Sequence, residues 1–189
     1  MNRCFDRELG LHCAPALAGI KPANLLCCRF SRYPDFDRVI ECYNRIFASG
    51  EIRFDVLCRC PESCLLLVYR RRTLAQQLQQ PEIRTLLETA GYFRGNTVEE
   101  DLERLSQRLC RSEGVFPHEI GLFLGYPPED VTGFVQHRGQ NFKFCGHRKV
   151  YSNEQKARRI FERYDRCRCA VCNRLAEGSP SPRCLAPRK

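Results

Sequence analysis

Two apolar runs separated by a turn constrain the fold of this chain more than any other feature. Residues 53–59 (RFDVLCR) alternate apolar and polar side chains, and residues 64–69 (CLLLVY) are almost wholly apolar. Between them, Cys60-Pro61-Glu62-Ser63 has the composition of a turn. Alternation places successive side chains on opposite faces of an extended strand. The sequence therefore predicts a β-hairpin.

The segments on either side of the hairpin predict two further strands and several helices. A short apolar run at 24–30 indicates one strand, and residues 142–151 are expected to form the last strand. Residues 11–21, rich in Ala, Gly and Pro, indicate a loop or short helix. Helices are predicted at 35–47, 74–80 and 81–90, and another begins at a Thr97–Glu100 capping box and runs to 109. Residues 117–139 predict two short helices, and a last helix runs from Asn153 to about Arg166. This order predicts an α+β fold in which several helices pack around a small mixed sheet containing the hairpin.

The length and the charge distribution predict one domain with a basic tail. The 189 residues suffice for a single α+β domain, which we expect over residues 1–167, followed by a disordered tail over 168–189 that contains Cys, Arg and Pro. The formal net charge is +9, and residues 156–189 carry ten basic but only three acidic side chains. No stretch reaches the roughly 18 uncharged apolar residues of a membrane-spanning helix. We therefore expect no membrane partner.

The 14 cysteines are expected to be free thiols or thiolate ligands. Asp6 and Glu8 occupy the region where a secretory signal would be positively charged. Without export, the chain would remain in a reducing compartment, where disulfides are rare. The sequence therefore predicts a cytoplasmic location.

Two groups of cysteines have spacings that allow metal binding. Cys167, Cys169 and Cys172, with Cys184 after them, could surround a zinc or iron ion, because thiolates two to three residues apart can turn toward one centre. The alternative is that they are ordinary reduced thiols near a helix end. The second group spans the predicted hairpin as Cys58-x-Cys60-x-x-x-Cys64. There we favour small buried apolar side chains, since no histidine or acidic ligand accompanies them.

A cysteine and a histidine raise the hypothesis of nucleophilic catalysis. Cys13, in the predicted loop, and His118 are the candidate pair, because a nearby imidazole can convert a thiol into a reactive thiolate. A chain with 14 cysteines and four histidines also offers such pairs by chance.

The helical pair around Gly125 resembles a helix-turn-helix, but its charges disfavour specific DNA binding. Pro128-Glu129-Asp130 would place carboxylates where a recognition helix meets phosphates and base edges. The basic C-terminal end could contact nucleic acid nonspecifically or an acidic partner. The simpler interpretation is a solvated basic helix end.

Four motifs together resemble a known family. They are His12–Leu25 (HCAPALAGIKPANL), His118–Phe134 (HEIGLFLGYPPEDVTGF), Cys145-Gly146 and Lys149-Val150-Tyr151. They are similar to the uncharacterised domain-of-unknown-function family 3793, typical of anaerobic Gram-positive bacteria, over roughly residues 8–167. The resemblance implies an intracellular bacterial protein, and the family has no assigned activity to carry over. This chain has His147-Arg148 where the family usually has an aromatic pair, and among the cysteines only Cys13, Cys145 and Cys167 match.

The matched motifs suggest a small-molecule or cofactor site. Their polar residues sit beside Gly and Pro in segments that are poor core material, so a functional reason is expected. The proposed ligand-binding residues are Lys21, Asn24, Tyr126, Asp130 and Lys149, with Cys13 and His118 as the candidate catalytic pair. The alternative functions are a thiol-rich metal or redox protein, and an interaction module that uses the basic C-terminal end.

Overall fold

The structure, a computed structural model, describes residues 3–111 and 116–177. Its helices are α1 Arg3–Leu17, α2 Phe36–Phe47, α3 Arg71–Leu78, α4 Pro81–Thr89, α5 Val98–Arg111, α6 Ile120–Phe123, α7 Pro128–Gln136 and α8 Glu154–Ala176. Its strands are β1 Ala23–Arg29, β2 Ile52–Arg59, β3 Ser63–Arg70, β4 Phe144–Cys145 and β5 Lys149–Val150. The predicted α+β class and the hairpin β2–β3 are confirmed. No helix in the described ranges is both long and apolar enough to span a membrane.

The main sheet has the strand order β1-β3-β2, and both of its strand pairs are antiparallel. The prediction of a mixed sheet was therefore wrong. Strand β1 pairs with β3 from Ala23 opposite Tyr69 to Arg29 opposite Ser63. Helix α2 carries the chain from β1 past β3 to the far edge, so β1 and β2 run in the same direction but never pair. The central strand separates them.

Helices cover both faces of the sheet, which explains why β3 is apolar from Cys64 to Tyr69. Cys64, Leu66 and Val68 point into a core shared with α1 and α2. The alternate residues, including Leu67 and Tyr69, point into a second core shared with helices α3 to α7. A strand buried on both faces has a continuous apolar sequence because the side chains on either face are shielded from water.

Helix α1 is longer than the sequence indicated. Residues 11–17, predicted as loop or short helix, belong to a 15-residue helix despite Pro15 near its end. Phe5, Leu9 and Cys13 recur every four residues and are fully buried. This packed face outweighs the local composition, since most helical stability in proteins comes from tertiary burial.

Helix α8 also extends beyond its expected end near Arg166. Asn153 caps its N-terminus as predicted, accepting a hydrogen bond from the Lys156 amide at 2.9 Å. The helix continues to Ala176, so residues 168–176 of the expected tail are helical. A Cβ added to Gly10 of α1 would lie 2.8 Å from Cδ1 of Leu175. The close α1–α8 contact made possible by this glycine holds the last turns of α8, while residues 178–189 lie outside the described part.

The single strand expected at 142–151 is two short strands, β4 and β5, joined around Gly146. They carry Phe144 and Val150 onto α8, where Phe161 and Tyr164 complete a third apolar cluster. This small hairpin fixes the positions of Arg148 and Lys149, which form one wall of the candidate site.

Candidate functional site

A tight corner between α6 and α7 builds the base of the site. Gly125 follows the C-terminal end of α6 with φ +73°, and a Cβ there would lie 2.6 Å from Cδ of Pro22. Gly121 is equally confined, because its Cβ would lie 2.8 Å from Cγ2 of Val131. Only glycine tolerates these approaches without displacement of neighbours. The two glycines therefore allow α6, α7 and the β1 segment to close around Tyr126.

A cleft opens beside this corner, between α6, α7 and β5; we call it the α6–α7 cleft. Its volume is about 290 Å³, and most of its lining is apolar or aromatic. The lining residues are Leu25, Phe116, His118, Ile120, Gly121, Leu124, Tyr126, Asp130, Val131, Phe134, Arg148 and Lys149. Four predicted site residues therefore come together here: His118, Tyr126, Asp130 and Lys149.

A buried ion pair joins α7 to β5 at the cleft wall. The Arg148 Nε atom donates to Oδ2 of Asp130 at 2.8 Å, and the two side chains are 7% and 1% exposed. Oδ1 of Asp130 accepts hydrogen bonds from the backbone amides of Tyr151 at 2.8 Å and Ser152 at 2.9 Å. Burial alone would raise the pKa of Asp130, but these hydrogen bonds outweigh it and lower the pKa below its ordinary value. Asp130 is therefore an ionised anchor that orients Arg148.

Lys149 presents a second cation at the cleft. Its Nζ atom donates to the Gly139 carbonyl at 2.7 Å. The same ammonium lies 5.8 Å from the ring centroid of Phe134 and 5.1 Å from that of Phe142. Lys149 forms no ion pair with any carboxylate in the described ranges, so its positive charge is uncompensated. Aromatic rings at these distances hold a cation in place without neutralising it.

Lys21 adds a third cation next to the lining. The residue is 7% exposed, and its Nζ atom lies 5.2 Å from the ring centroid of Tyr126 and 5.9 Å from that of Tyr164. Burial and the charge of Arg148 lower the pKa of Lys21 to about 8, although the Cys13 thiol opposes this shift. Within residues 3–111 and 116–177, no carboxylate forms an ion pair with it. A buried lysine without a counter-ion is costly, and such groups cluster at functional sites.

The remaining predicted residues occupy different environments. His118 is exposed at the cleft, with its ring centroid 5.1 Å from that of Phe134. The Asn24 side chain accepts a hydrogen bond from the Ala16 amide at 3.2 Å, so it anchors the end of α1. Cys13 is fully buried in the core beneath α1 and does not line the cleft. Burial raises the pKa of Cys13 to about 12, which keeps the thiol protonated at neutral pH.

The predicted metal ligands lie along one helix. Cys167 is half-buried, Cys169 is exposed and Cys172 is half-buried on α8. Because successive helical residues are about 100° apart, the Cys167 thiol points away from Cys169 and Cys172, which share one side of the helix. In the part of the chain that the structure describes, no group of three or more His, Cys, Asp or Glu residues could hold a metal ion. Cys184 lies outside the described residues.

Sequence reasoning missed several residues of the cleft, above all Arg148. In the sequence this residue is only a departure from the family's aromatic pair, yet its guanidinium carbon lies 5.5 Å from the Tyr126 ring centroid and 5.1 Å from that of Phe161. His147 similarly packs 5.1 Å from Phe161. Both side chains therefore occupy aromatic surroundings. Their position beside Lys149 was the available signal, whereas the apolar side chains of the wall (Leu25, Phe116, Phe134) carry no such signal.

These contacts define what the cleft can do chemically. An apolar, ring-lined space accepts a flat apolar group, and the lysine charges beside it favour a negative group. Asp130 already accepts three hydrogen bonds, and its side chain is 1% exposed. Its carboxylate therefore orients the site and is not free to bind a ligand cation.

Comparison with known proteins places the chain in a family. Residues 9–185 match the family described as "Protein of unknown function (DUF3793)". Comparisons with curated proteins and with solved structures give no match. The match spans nearly the whole sequence and includes the α6–α7 corner, Arg148 and Lys149. The chain therefore belongs to the DUF3793 family.

Proposed function

We propose that the α6–α7 cleft binds a small organic anion that has a flat apolar body. The observation that carries this proposal is the uncompensated positive charge of Lys149 and Lys21 against an aromatic wall. Ligand pockets in proteins are typically apolar with a few placed polar groups. The cleft has this composition.

The charge balance favours an anion over a neutral or cationic ligand. Asp130 neutralises Arg148 through the buried ion pair. This leaves the ammonium groups of Lys149 and Lys21 as the net charge at this end of the cleft. In a partly desolvated space, two such charges favour a carboxylate, sulfonate or phosphate group.

The size of the cleft limits the ligand to a small molecule. A volume of about 290 Å³ is at the lower end of the usual range for ligand pockets, roughly 300–1,000 Å³. One ring with a short charged substituent fits this space. The rings of Phe134 and Tyr126 offer edges or faces for contact with it.

The proposal is tested with three probes of nearly equal shape: benzoate, benzyl alcohol and benzylamine. Their binding to the full chain is compared by saturation-transfer NMR with mutual competition. We expect benzoate to bind about tenfold more tightly than benzyl alcohol, and benzylamine to bind least, because about 1.4 kcal/mol of charge interaction corresponds to a factor of ten.

Two lysine variants test whether benzoate binds at the α6–α7 cleft. Lys149→Met should weaken benzoate binding by about fivefold while leaving benzyl alcohol unchanged, because about 1 kcal/mol of Coulomb attraction is removed. Lys143→Met is the matched control, since Lys143 is exposed, bonds to the Ser152 carbonyl and does not line the cleft. Equal binding of all three probes, or equal loss in both variants, would contradict the proposal.

The proposal does not include a catalytic Cys13–His118 pair, because Cys13 is buried away from the cleft lining. It does include a reducing, cytoplasmic setting. In support, the 13 cysteines in the described ranges are all free thiols. Export would expose these thiols to oxidation.

A second candidate function rests on α8. Lys156, Arg159, Arg163 and Arg166 are exposed on one side of the helix and form no ion pair with the described residues. Such a stripe can contact successive phosphates of a nucleic acid without reading its sequence. Binding of a labelled single-stranded oligonucleotide should weaken steeply with salt and disappear in a variant with Arg159, Arg163 and Arg166 changed to Gln. Unchanged binding in that variant would reject this function.

A further inference from the structure

A β-bulge brings a cysteine of the hairpin toward α5. Val56 pairs with Leu66, but the next paired residue of β2 is Cys58, opposite Leu65. Leu57 is the extra residue, and the strand register shifts there. A bulge re-aims the following side chain, and Cys58 packs partly against the core that contains α5. The predicted hairpin trio is therefore divided, because Cys64 points into the opposite core.

Helix α5 presents a second thiol at the same place. Ser106 and Cys110, four residues apart, lie on one face of the helix. The Ser106 hydroxyl donates to the Leu57 carbonyl at 2.5 Å, and the Cys110 thiol lies 3.9 Å from the same oxygen. The Cys110 sulfur thus adjoins the peptide group that links Leu57 to Cys58. The thiols of Cys110 and Cys60 lie near enough to the Cys58 thiol to raise its pKa, together with burial.

We propose that Cys58 and Cys110 form a redox-active dithiol that reacts with low-molecular-weight disulfides and closes into an intramolecular disulfide bond. Cys110 is exposed and Cys58 is half-buried, so a small disulfide reaches Cys110 first. The site is a modification site separate from the α6–α7 cleft.

The thiol–disulfide exchange proceeds in two steps. The Cys110 sulfur, after losing its proton to solvent, attacks one sulfur of the small disulfide, whose S–S bond breaks to release one small thiol. The Cys58 sulfur, also deprotonated by solvent, then attacks the Cys110 sulfur and releases the second small thiol. The two cysteines are oxidised, and the small disulfide is reduced to two thiols. Burial and the neighbouring thiols raise the pKa of Cys58 to about 11, so only a small fraction of this residue is thiolate at neutral pH.

Two neighbouring cysteine pairs are poorer reactants. Cys28 and Cys64 are direct cross-strand neighbours, but each is 2% exposed, which shields them from a small disulfide. Cys58 and Cys60 are separated by one residue at the end of β2. Alternate residues of an extended strand lie about 6.6 Å apart, which is at the upper limit of the Cα separation that a disulfide spans.

The test uses the full chain and oxidised glutathione. The reduced protein is incubated with the disulfide without oxygen, free thiols are blocked with N-ethylmaleimide, and an unreduced tryptic digest is analysed by mass spectrometry. Trypsin cleaves after Arg59, so Cys58 falls on the peptide FDVLCR, Cys60 on CPESCLLLVYR and Cys110 on LCR. We expect FDVLCR joined to LCR as the main cross-linked product.

Variants distinguish the pair from general thiol reactivity. Cys110→Ser should abolish the link and leave Cys58 blocked by maleimide, whereas Cys60→Ser should retain the link. Cys42→Ser is the matched control, because Cys42 is an exposed thiol on α2, and it should also retain the link. The inference is overturned if Cys58 of the unaltered protein stays unlinked while Cys42 is converted to a mixed disulfide, or if Cys58 joins the Cys60 peptide. These outcomes are measured on the unaltered protein, so they do not depend on whether a variant folds.

Discussion

Replacing Lys21 with methionine is expected to stabilise the protein near neutral pH, although the change removes a charge. Lys21 is 7% exposed, and burial is the main reason that its pKa falls from 10.5 to about 8. The folded state therefore holds the charged form of this side chain at a cost. Methionine has a similar length and no charge to desolvate.

The magnitude follows from the pKa and the ring contacts. A pKa near 8 in place of 10.5 corresponds to roughly 3 kcal/mol against the charged form in the folded state. The ammonium also lies near the rings of Tyr126 and Tyr164, and losing these contacts costs about 1–2 kcal/mol. We expect a net gain of about 1–2 kcal/mol in the free energy of unfolding.

The pH dependence has a definite sign. Because the folded-state pKa of Lys21 is lower than the unfolded one, the unfolded chain binds more protons between about pH 8 and 10.5. The penalty on the folded protein is complete below this window and is relieved as the pH rises through it. The advantage of Lys21→Met should therefore be largest near neutral pH and should shrink toward about pH 10.

The assay is urea unfolding under reducing conditions, followed by far-UV circular dichroism because the chain has no Trp. Lys156→Met is the control, since Lys156 is exposed on α8, and it should change stability by no more than about 0.5 kcal/mol. The reasoning is refuted if Lys21→Met destabilises the protein at neutral pH. It is also refuted if the variant and the unaltered protein differ in free energy of unfolding by the same amount at neutral pH and at about pH 10.

Three further substitutions test two contacts near the cleft and the cap of α5, each through the free energy of unfolding measured in urea. Asp130→Asn should cost about 3–5 kcal/mol, because it leaves Arg148 buried without a counter-ion. Hydrogen bonds lower the pKa of Asp130 below its ordinary value of 3.8. The full loss of stability should therefore appear at pH values above 3.8, and the loss should diminish as the pH falls further. Gly133→Ala should cost about 1–3 kcal/mol, because its Cβ would lie 2.6 Å from Cγ of Tyr151. Thr97→Ala should cost about 1 kcal/mol by removing the hydroxyl that caps the Glu100 amide at 3.3 Å. A cost of under 0.5 kcal/mol in any of the three would contradict the corresponding contact.

Local signals predicted the elements that depend mainly on local chemistry. The hairpin 52–70 was predicted because its turn residues and apolar runs agree, and the capping box at Thr97 forms as expected, with its amide donating to Glu100 at 2.7 Å. The full length of helix α1 and the end of α8 were not predicted. Their helical state depends on mutual packing at Gly10, Val171 and Leu175, which no local pattern reveals.

The candidate site was predicted in part for a similar reason. His118, Tyr126, Asp130 and Lys149 were identified because they belong to the family motifs, and the fold brings these four together. Cys13 belongs to a motif too, but its helical spacing with Phe5 and Leu9 places it in the core. Polar residues in a motif can thus serve either the cleft or its support, and only tertiary structure separates the two roles.

The most direct test of the proposed function locates the bound anion. The ¹⁵N-labelled protein is titrated with benzoate, and backbone amide shifts are followed by two-dimensional NMR. Binding at the α6–α7 cleft predicts saturable shifts centred on Leu25, Gly121, Val131 and Lys149, with much smaller shifts for benzylamine. Saturable shifts centred elsewhere, such as the exposed cations of α8, or equal shifts with benzylamine, would contradict the account.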